Sequence, residues 1–258
     1  MTKKYSICVT NFNSIRTVES WASSLLRNVG EEDEVVVVDA GSADGSGDWL
    51  RSWCLAHGYV FLTRKSNRGQ ARDVASRGAH GDYLIHHVDT DDVVVALPEA
   101  KRLYHEVLET DAVTGARRAF WCHGFFIVPR AMYAEVGGYA PLQHYEDRLL
   151  GYRLAVKGWL TKSERVSAVR KRTDPRRTTV IAQLRRRIEA LRDGFRLGFV
   201  EIWTRWSYPL IPIAFAMALF MKHYPYRKDW ERMDIHRDEL IVSWIDRNHL
   251  KDKLLPVR

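Results

Sequence analysis

Four consecutive valines at positions 35–38 are the sequence feature that most restricts the fold of this chain. Valine is β-branched, and the run is short and stopped by Asp39 and Gly41, so it predicts a strand and not a helix. Two further short runs rich in apolar residues, Tyr5–Val9 and Tyr83–Val88, have the same character. Strands that are apolar almost throughout are typical of a sheet that is covered on both faces.

Helical patterns separate these runs. Residues 17–27 and residues 49–54 both place apolar side chains on one face at helical spacing. Strands that alternate with helices predict an α/β fold with a mostly parallel sheet and crossover helices. In such open sheets, ligands bind beyond the carboxyl ends of the strands.

Polar clusters begin at the end of each predicted strand, at Thr10, Asp39 and Asp89. We expect them to converge on one rim of the sheet, because parallel strands end at the same edge. The third cluster is the tetrad 89–92, Asp-Thr-Asp-Asp. Its crowded carboxylates require a cation, and their hard oxygen ligands suit Mg²⁺ or Mn²⁺ brought with a substrate's phosphates. An exposed acidic turn is the alternative, but it would not explain why three clusters converge.

The positive charge of the chain is concentrated in one segment. Residues 165–196 contain eleven Lys or Arg and three Asp or Glu, so their net charge of +8 equals that of the whole chain. From residue 178 onwards arginines alternate with an apolar stripe at helical spacing, formed by Ile181, Leu184, Ile188, Leu191, Phe195 and Ile202. Basic amphipathic helices are typical of anionic membrane surfaces. A nucleic-acid-binding protein is the alternative, although no recognition motif accompanies the arginines.

An apolar run of about fourteen residues follows at 208–221. It is shorter than the roughly 20 residues of a membrane-spanning helix, so it predicts a segment that lies on or dips into one leaflet. A core helix or a dimer contact is the alternative. Residues 229–255 predict one more charged amphipathic helix. We therefore expect a catalytic domain over 1–165 and a membrane-association region over 166–258.

The ordered set of motifs resembles the family 2 glycosyltransferases, which are inverting enzymes of the GT-A fold. The resemblance covers residues 5 to about 165. The matching segments are Thr10–Asn13, Val38–Gly45, Asn67–Arg72, Gly81–Tyr83, Asp89–Asp92, Ile127–Arg130, Val136–Tyr139 and Glu146–Leu150. The resemblance implies a Rossmann-like domain, a nucleoside-diphosphate sugar as donor and a divalent metal ion.

The resemblance also implies a nucleotide-sugar site. Phe12 stands where a base-stacking aromatic residue is common, and Asp39 would accept a hydrogen bond from the base, which favours uracil or guanine. Arg72 would neutralise the diphosphate with its forked guanidinium. The full set implied for this site is Thr10, Phe12, Asn13, Asp39, Arg72, Asp89 and Thr90.

The metal and catalytic residues follow from the same resemblance. Asp91, together with Asp89, would hold Mg²⁺ or Mn²⁺ on the diphosphate. Glu146 and Asp147 would form the catalytic pair, with Asp147 as the general base that deprotonates the acceptor hydroxyl. Capping of a helix is the structural alternative for this pair, and an acceptor that attacks through a phosphate would need no base. The residues expected on the acceptor side are His144, Asp92 and Arg153.

The predicted function is a metal-dependent glycosyltransferase that moves a sugar from a UDP- or GDP-linked donor to a lipid or lipid-linked acceptor. Its predicted location is the cytoplasmic face of the cell membrane, as a peripheral or monotopic protein, and no nucleic-acid partner is expected. The segment beginning at Gln183 lacks the Trp of the family's processive polymerases, so a single addition is expected. A nucleotidyltransferase is a further alternative, but the Gly-rich loop typical of that class is missing after residue 9.

Overall fold

The computed structural model describes residues 4–114, 118–122, 125–163, 169–171, 179–201 and 205–227. The strands are β1 (Tyr5–Asn11), β2 (Asp33–Asp39), β3 (Val60–Thr63), β4 (Tyr83–His86), β5 (Asp92–Val94), β6 (Ala119–Cys122), β7 (Phe125–Pro129), β8 (Leu160–Ser163) and β9 (Val169–Lys171). Seven of them form one sheet in the order β3-β2-β1-β4-β7-β6-β8, and β5 pairs with β9.

The half of the sheet that carries the predicted rim is parallel. Strand β1 pairs in parallel with β2 and β4, and β2 pairs in parallel with β3. Strand β7 runs antiparallel to β4 and β6, while β8 is parallel to β6. The predicted α/β class with a mostly parallel sheet is therefore confirmed.

Helices lie on both faces of the sheet. They are α1 (Val18–Leu26), α2 (Ser46–His57), α3 (Arg68–Arg77), α4 (Leu97–Thr114), α5 (Arg130–Glu135), α6 (Glu146–Val156), α7 (Val180–Leu197) and α8 (Ile211–Leu219). Buried apolar residues of α1, α2 and α4 belong to one core cluster, and those of α3 and α5, with Leu150 and Leu154 of α6, belong to a second.

The valine run supplies both cores at once. Val35 and Val37 join the cluster under α1 and α2, whereas Val36 and Val38 join the cluster under α3. All four are fully buried, because successive side chains of a strand point to opposite faces. Burying one valine contributes roughly 1.5–3 kcal/mol relative to exposure, so this strand anchors both layers.

The third apolar run ends earlier than the sequence predicts. Strand β4 stops at His86, and His87 has a left-handed backbone with φ of 67°. The strand predicted over Tyr83–Val88 is therefore too long at its carboxyl end, since His87 lies outside β4 and turns towards the rim.

The basic helical stripe is also shorter than predicted. Helix α7 ends at Leu197, where Gly198 takes a left-handed C-cap conformation with φ of 85°. A 3-10 helix at Arg205–Leu210 leads directly into α8. The predicted helix over 229–255 lies outside the described residues. In the part of the chain that the structure describes, no helix combines the length and apolar character needed to cross a bilayer.

Close packing at Gly69 sets the distance between α3 and the loop before α6. The Gly69 N–H donates to the Leu142 carbonyl at 2.9 Å. A Cβ atom at position 69 would lie 2.0 Å from the Ala140 carbonyl oxygen, which belongs to the backbone and cannot rotate away. Only glycine allows this approach, which brings α3 and the start of α6 together.

We expect Gly69→Ala to destabilise the fold by about 1–3 kcal/mol, because the added methyl group forces the loop away from α3. Denaturant unfolding measures the loss. Gly30→Ala is the control, since its Cβ would meet only an ordinary contact at 3.7 Å. Equal stabilities of the two variants would contradict the close approach.

Candidate active site

Asn11 joins the ends of the three predicted strands into one rim. Its Nδ2 donates to Asp39 Oδ1 at 2.7 Å, and its Oδ1 accepts from the Thr90 hydroxyl at 2.7 Å. The Thr10 hydroxyl donates to Asp89 Oδ1 at 2.5 Å. The convergence predicted from the sequence is therefore present, and Asn11, to which sequence reasoning gave no role, is its central residue.

Three carboxylates of the tetrad form an acidic cluster. One oxygen each of Asp89, Asp91 and Asp92 lie within 4.8 Å of one another. A tight turn holds them, since the Asp92 N–H donates to the Asp89 carbonyl at 2.9 Å and the Asp89 N–H donates to Asp92 Oδ2 at 3.2 Å. Three hard oxygen ligands at this spacing fit Mg²⁺ or Mn²⁺. Asp92, expected on the acceptor side, belongs to this cluster.

Arg72 connects the acidic cluster to helix α6. Its Nη2 donates to Asp89 Oδ2 at 2.8 Å and its Nη1 to Glu146 Oε1 at 2.6 Å. The side chain is 7% exposed, and that of Glu146 is 2% exposed. Burial works to lower the pKa of Arg72, but the two carboxylates outweigh it and raise the pKa, so the guanidinium stays charged.

Glu146 has a strongly altered acidity. Burial raises the pKa of its carboxyl to about 7, Arg72 opposes this rise, and the neighbouring Asp147 adds to it. A group with this pKa changes its charge near neutral pH. The charge on the Arg72–Glu146 pair therefore depends on pH in the range where enzymes work.

His87 is a buried neighbour of Arg72 that sequence reasoning missed. Its Nε2 lies 3.4 Å from Arg72 Nη1 and 3.2 Å from the Tyr139 hydroxyl. The left-handed backbone of His87 directs the ring to this position. The sequence gives no signal for this position of the His87 ring, because a histidine at the end of an apolar run is also compatible with a strand.

A cavity of about 680 Å³ contains these groups. Its volume lies within the range of about 300–1,000 Å³ that is usual for small-molecule sites. Most residues predicted from the sequence line it: Thr10, Phe12, Arg72, Asp89, Thr90, Asp91, Asp92, His144, Glu146 and Asp147. Phe12 is 60% exposed, which is unusual for a phenylalanine and leaves its ring accessible at the cavity.

Three predicted site residues do not line the cavity. The buried carboxylate of Asp39 accepts from Asn11, from the Ser42 hydroxyl and from two backbone N–H groups of its own loop. These contacts fill the roughly four acceptor positions of a carboxylate, so a nucleobase would have to replace one of them. Asn13 Oδ1 accepts from the Ala43 N–H at 2.9 Å and ties the first loop to the second.

Arg153 is the third predicted site residue that does not line the cavity. Its Nη1 donates to the carbonyls of Val136 and Gly138 at 3.3 and 3.0 Å, so it supports the loop after α5. The expected acceptor-side position is corrected accordingly: the guanidinium faces backbone carbonyls and not the cavity.

Asp147 lies in the first turn of α6, directly after Glu146. It is partly exposed at the cavity wall, and its Oδ1 accepts from the Arg148 N–H at 2.8 Å. The preceding residue, Tyr145, has a left-handed backbone with φ of 64°. A carboxylate at a helix amino terminus interacts favourably with the helix dipole.

Helix α7 forms one wall of the same cavity, which the sequence did not predict. The residues that it contributes are Ala182, Arg185, Arg186 and Glu189. Asp193 fixes the helix in place: its Oδ2 accepts from the backbone N–H groups of Gln143 and His144 at 2.7 and 3.0 Å. Its Oδ1 accepts from Arg196 Nη1 at 3.2 Å. The boundary predicted at residue 165 therefore does not separate the C-terminal region from the site.

His144 lies between α6 and α7. It is buried, and its Nε2 is 3.9 Å from Glu189 Oε2. Burial lowers the pKa of the ring to about 4, and Arg68, Arg186 and Arg192 lower it further, against Asp193. The imidazole is therefore neutral near pH 7.

The acidity of Glu146 predicts a pH-dependent stability. Between pH 4.5 and about 7 the folded protein keeps a proton that the unfolded chain releases, so rising pH removes stability from the wild type. Glu146→Gln does not titrate. As the pH rises across that window, the free energy of unfolding of this variant should increase by up to about 3 kcal/mol relative to that of the wild type. Denaturant unfolding at several pH values measures it, with the exposed Glu19→Gln as control. Parallel curves for Glu146→Gln and wild type would contradict the shift.

Comparison of the sequence with known protein families gives one match that covers most of the chain. The sequence model of glycosyl transferase family 2 matches residues 6–173. The chain is 37% identical over 122 residues to the uncharacterized glycosyltransferase YfnE of Bacillus subtilis, which covers 46% of this chain and 30% of that protein. It is 27% identical over 93 residues to the cholesterol galactosyltransferase of Borreliella burgdorferi, over 35% of this chain and 26% of that protein. The chain thus spans a third or less of these two curated relatives.

Solved structures share the fold. The mannosyltransferase PcManGT from Pyrobaculum calidifontis, in complex with GDP-Man and Mn²⁺, matches with a TM-score of 0.60 and 16% identity over 97% of this chain and 87% of that chain. S. aureus TarS matches with a TM-score of 0.55 and 14% identity over 85% of this chain and 44% of that chain. Identities this low establish the fold alone, and they confirm the predicted GT-A class. With the family match over residues 6–173, the chain belongs to glycosyl transferase family 2.

Proposed function

We propose that this chain is a metal-dependent inverting glycosyltransferase that uses a UDP- or GDP-linked sugar. The observation that carries the proposal is one cavity that holds both the acidic cluster of Asp89, Asp91 and Asp92 and the carboxylate of Asp147. A leaving nucleoside diphosphate and an acceptor hydroxyl need these two kinds of group at the same time. The nucleic-acid-binding and nucleotidyltransferase alternatives are not favoured by the family match.

The residues proposed to bind the diphosphate of the donor are charged. Asp89 and Asp91 would hold a divalent ion, which would supply Lewis-acid stabilisation to the departing diphosphate. Arg72 provides a permanent positive charge beside Asp89. Because Arg72 is buried and held by two ion pairs, it needs little reorganisation when negative charge develops. The accessible ring of Phe12 is available for stacking on the base.

Deprotonation of the acceptor hydroxyl requires a base. In an inverting transfer, the acceptor oxygen bonds to the anomeric carbon while the bond from that carbon to the diphosphate oxygen breaks on the opposite face. The hydroxyl proton passes to Asp147, which lines the cavity and is partly exposed. Glu146 is a positioning residue, since its buried carboxylate binds Arg72.

Asp147 and Asp91 have different proposed roles, so their substitutions should cause different defects. Asp147→Asn should lower transfer at least about 100-fold, because it removes the base, and should leave Mn²⁺-dependent nucleotide binding intact. Asp91→Asn should lose the Mn²⁺ dependence of that binding. Nucleotide release from UDP- and GDP-sugars and calorimetric titration of the nucleotides measure both. Asp48→Asn, on the exposed side of α2, is the control. Normal turnover of Asp147→Asn would sink the assignment of the base.

We further propose a lipid or lipid-linked acceptor and attachment to the cytoplasmic face of a membrane. Support comes from an exposed apolar patch on α8 and the residue after it, formed by Ile213, Phe215, Met217, Leu219 and Phe220. Large exposed apolar patches mark interaction surfaces. The name of the relative that acts on cholesterol points to the same acceptor class.

Membrane attachment through this patch predicts a position-specific effect. Phe220 is 94% exposed, so Phe220→Ser should weaken binding to liposomes of phosphatidylcholine and phosphatidylglycerol without unfolding the protein. Loss of one phenylalanine side chain that is buried in the bilayer on binding corresponds to a roughly tenfold weaker partition of the protein into the membrane. Leu55→Ser, which removes an apolar side chain that is 83% exposed on α2, is the matched control. Flotation assays in which both variants bind equally would refute the role of the patch.

A further inference from the structure

The two charged partners of Arg72 do not keep a constant charge. Its Nη2 donates to Asp89, which would also hold the divalent ion of the proposed donor site, and its Nη1 donates to Glu146. Burial raises the pKa of the Glu146 carboxyl to about 7, so this group is partly protonated near neutral pH. A contact without charge would hold the Arg72 guanidinium in place through both changes.

His87 and Tyr139 supply uncharged contacts to the same guanidinium. His87 Nε2 lies 3.4 Å from Arg72 Nη1 and 3.2 Å from the Tyr139 hydroxyl. The guanidinium carbon of Arg72 lies 6.0 Å from the centroid of the Tyr139 ring. Both His87 and Tyr139 are buried, so water competes little for these contacts. Binding of an ion at Asp89 or of a proton at Glu146 leaves both contacts uncharged.

The chemistry of the three groups determines the role of the His87 ring. A guanidinium only donates hydrogen bonds, so His87 Nε2 accepts from Arg72 and the ring proton lies on Nδ1. Burial raises the pKa of the Tyr139 hydroxyl well above its usual range, so this group keeps its proton and can donate to Nε2 as well. Two donors that share one nitrogen lone pair agree with the two long distances. The His87 ring is therefore neutral, and its Nε2 is an acceptor for Arg72.

The backbone of His87 is strained where it brings the ring to Arg72. Its φ of 67° lies in the left-handed region, which residues other than glycine rarely adopt. Such a conformation costs stability, persists only where the surrounding structure holds it, and is found most often at functional sites. His87 lines the cavity two residues before Asp89. The strained backbone at this position is a second observation that points to a function for His87.

We propose that His87 is a positioning residue for Arg72, which keeps the guanidinium directed at the donor diphosphate when Asp89 holds the metal ion. This inference rests on the proposed glycosyltransferase function and adds a residue to it. Negative charge increases on the diphosphate as it departs, so a guanidinium that is held in place stabilises the transition state more than the bound donor. The effect of His87 should therefore appear in kcat and not in the KM of the donor.

The test compares two substitutions at position 87 that share the same left-handed backbone. His87→Gln keeps a polar group that can accept from Arg72, whereas His87→Leu removes it. His86→Leu is the matched control. His86 is also buried, but among the described residues its two ring nitrogens have no hydrogen-bond partner, and it does not line the cavity. The full chain is used throughout, and thermal unfolding verifies that each variant is folded.

Nucleotide release from UDP- and GDP-sugars with Mn²⁺ gives kcat and KM for each protein. His87→Leu should lower kcat about tenfold, the loss expected for one hydrogen bond to a charged group, and should change KM by less than about twofold. His87→Gln should recover most of the lost kcat. His86→Leu should leave kcat close to that of the wild type.

Nitrogen-15 NMR of the histidine-labelled protein, without metal ion or nucleotide, checks the contact independently of activity. The signals of His87 are identified by their loss in His87→Gln. They should show a neutral ring with its proton on Nδ1, because Nε2 accepts from Arg72.

Four results would overturn the inference. Equal kcat values for His87→Leu and His87→Gln would mean that the polar group at position 87 is not needed. A proton on His87 Nε2 would exclude this atom as an acceptor. A raised KM with unchanged kcat would assign His87 to donor binding. An equal loss of kcat in His86→Leu would mean a general disturbance of β4.

Normal nucleotide release by the wild type would leave the glycosyltransferase function standing in each of these four cases. A wild type that neither binds UDP or GDP with Mn²⁺ in calorimetric titration nor releases nucleotide from their sugars would instead reject the proposed function, and the inference about His87 with it.

Discussion

The buried guanidinium of Arg72 is the contact on which the arrangement of this site depends. It is hydrogen-bonded to Asp89 in the loop after β4 and to Glu146 at the start of α6, so one cation connects the donor side to the acceptor side. Removing one partner of such a buried pair leaves an uncompensated charge, which typically costs about 3–5 kcal/mol. The pair thus fixes geometry, and its charge state depends on a carboxyl whose pKa is near 7.

The parallel part of the sheet and its rim follow from local sequence properties. A run of four valines requires two covered faces, and polar residues after short apolar runs mark strand ends. The hydrogen bonds through Asn11 exist because those ends meet. Chemistry that depends on residue type at a strand end, such as the acidic cluster, is therefore readable from sequence.

Other parts of the site depend on contacts that local patterns do not encode. The position of His87 follows from a single left-handed residue, and the role of Arg153 follows from the carbonyls that it happens to reach. Helix α7 is the clearest case of a contact that the sequence pattern does not encode. Its arginines and apolar stripe fit a membrane surface, yet Asp193 docks the helix against the catalytic core. The sequence shows Asp193 only as one of three acidic residues within a basic segment, and its partners outside α7 are backbone N–H groups, which a sequence pattern does not identify.

In the proposed donor site, the acidic cluster and Arg72 bind a nucleoside diphosphate with a divalent metal ion. Thermal unfolding with UDP, GDP, dTDP and CDP, each with and without Mn²⁺, measures this binding. A ligand at 100 times its Kd adds about 2.7 kcal/mol of stability, which corresponds to a rise in Tm of roughly 5–10 °C for a chain of this size. We expect that rise for UDP or GDP, and only when Mn²⁺ is present. Unchanged unfolding temperatures with all four nucleotides at saturating concentrations would contradict it.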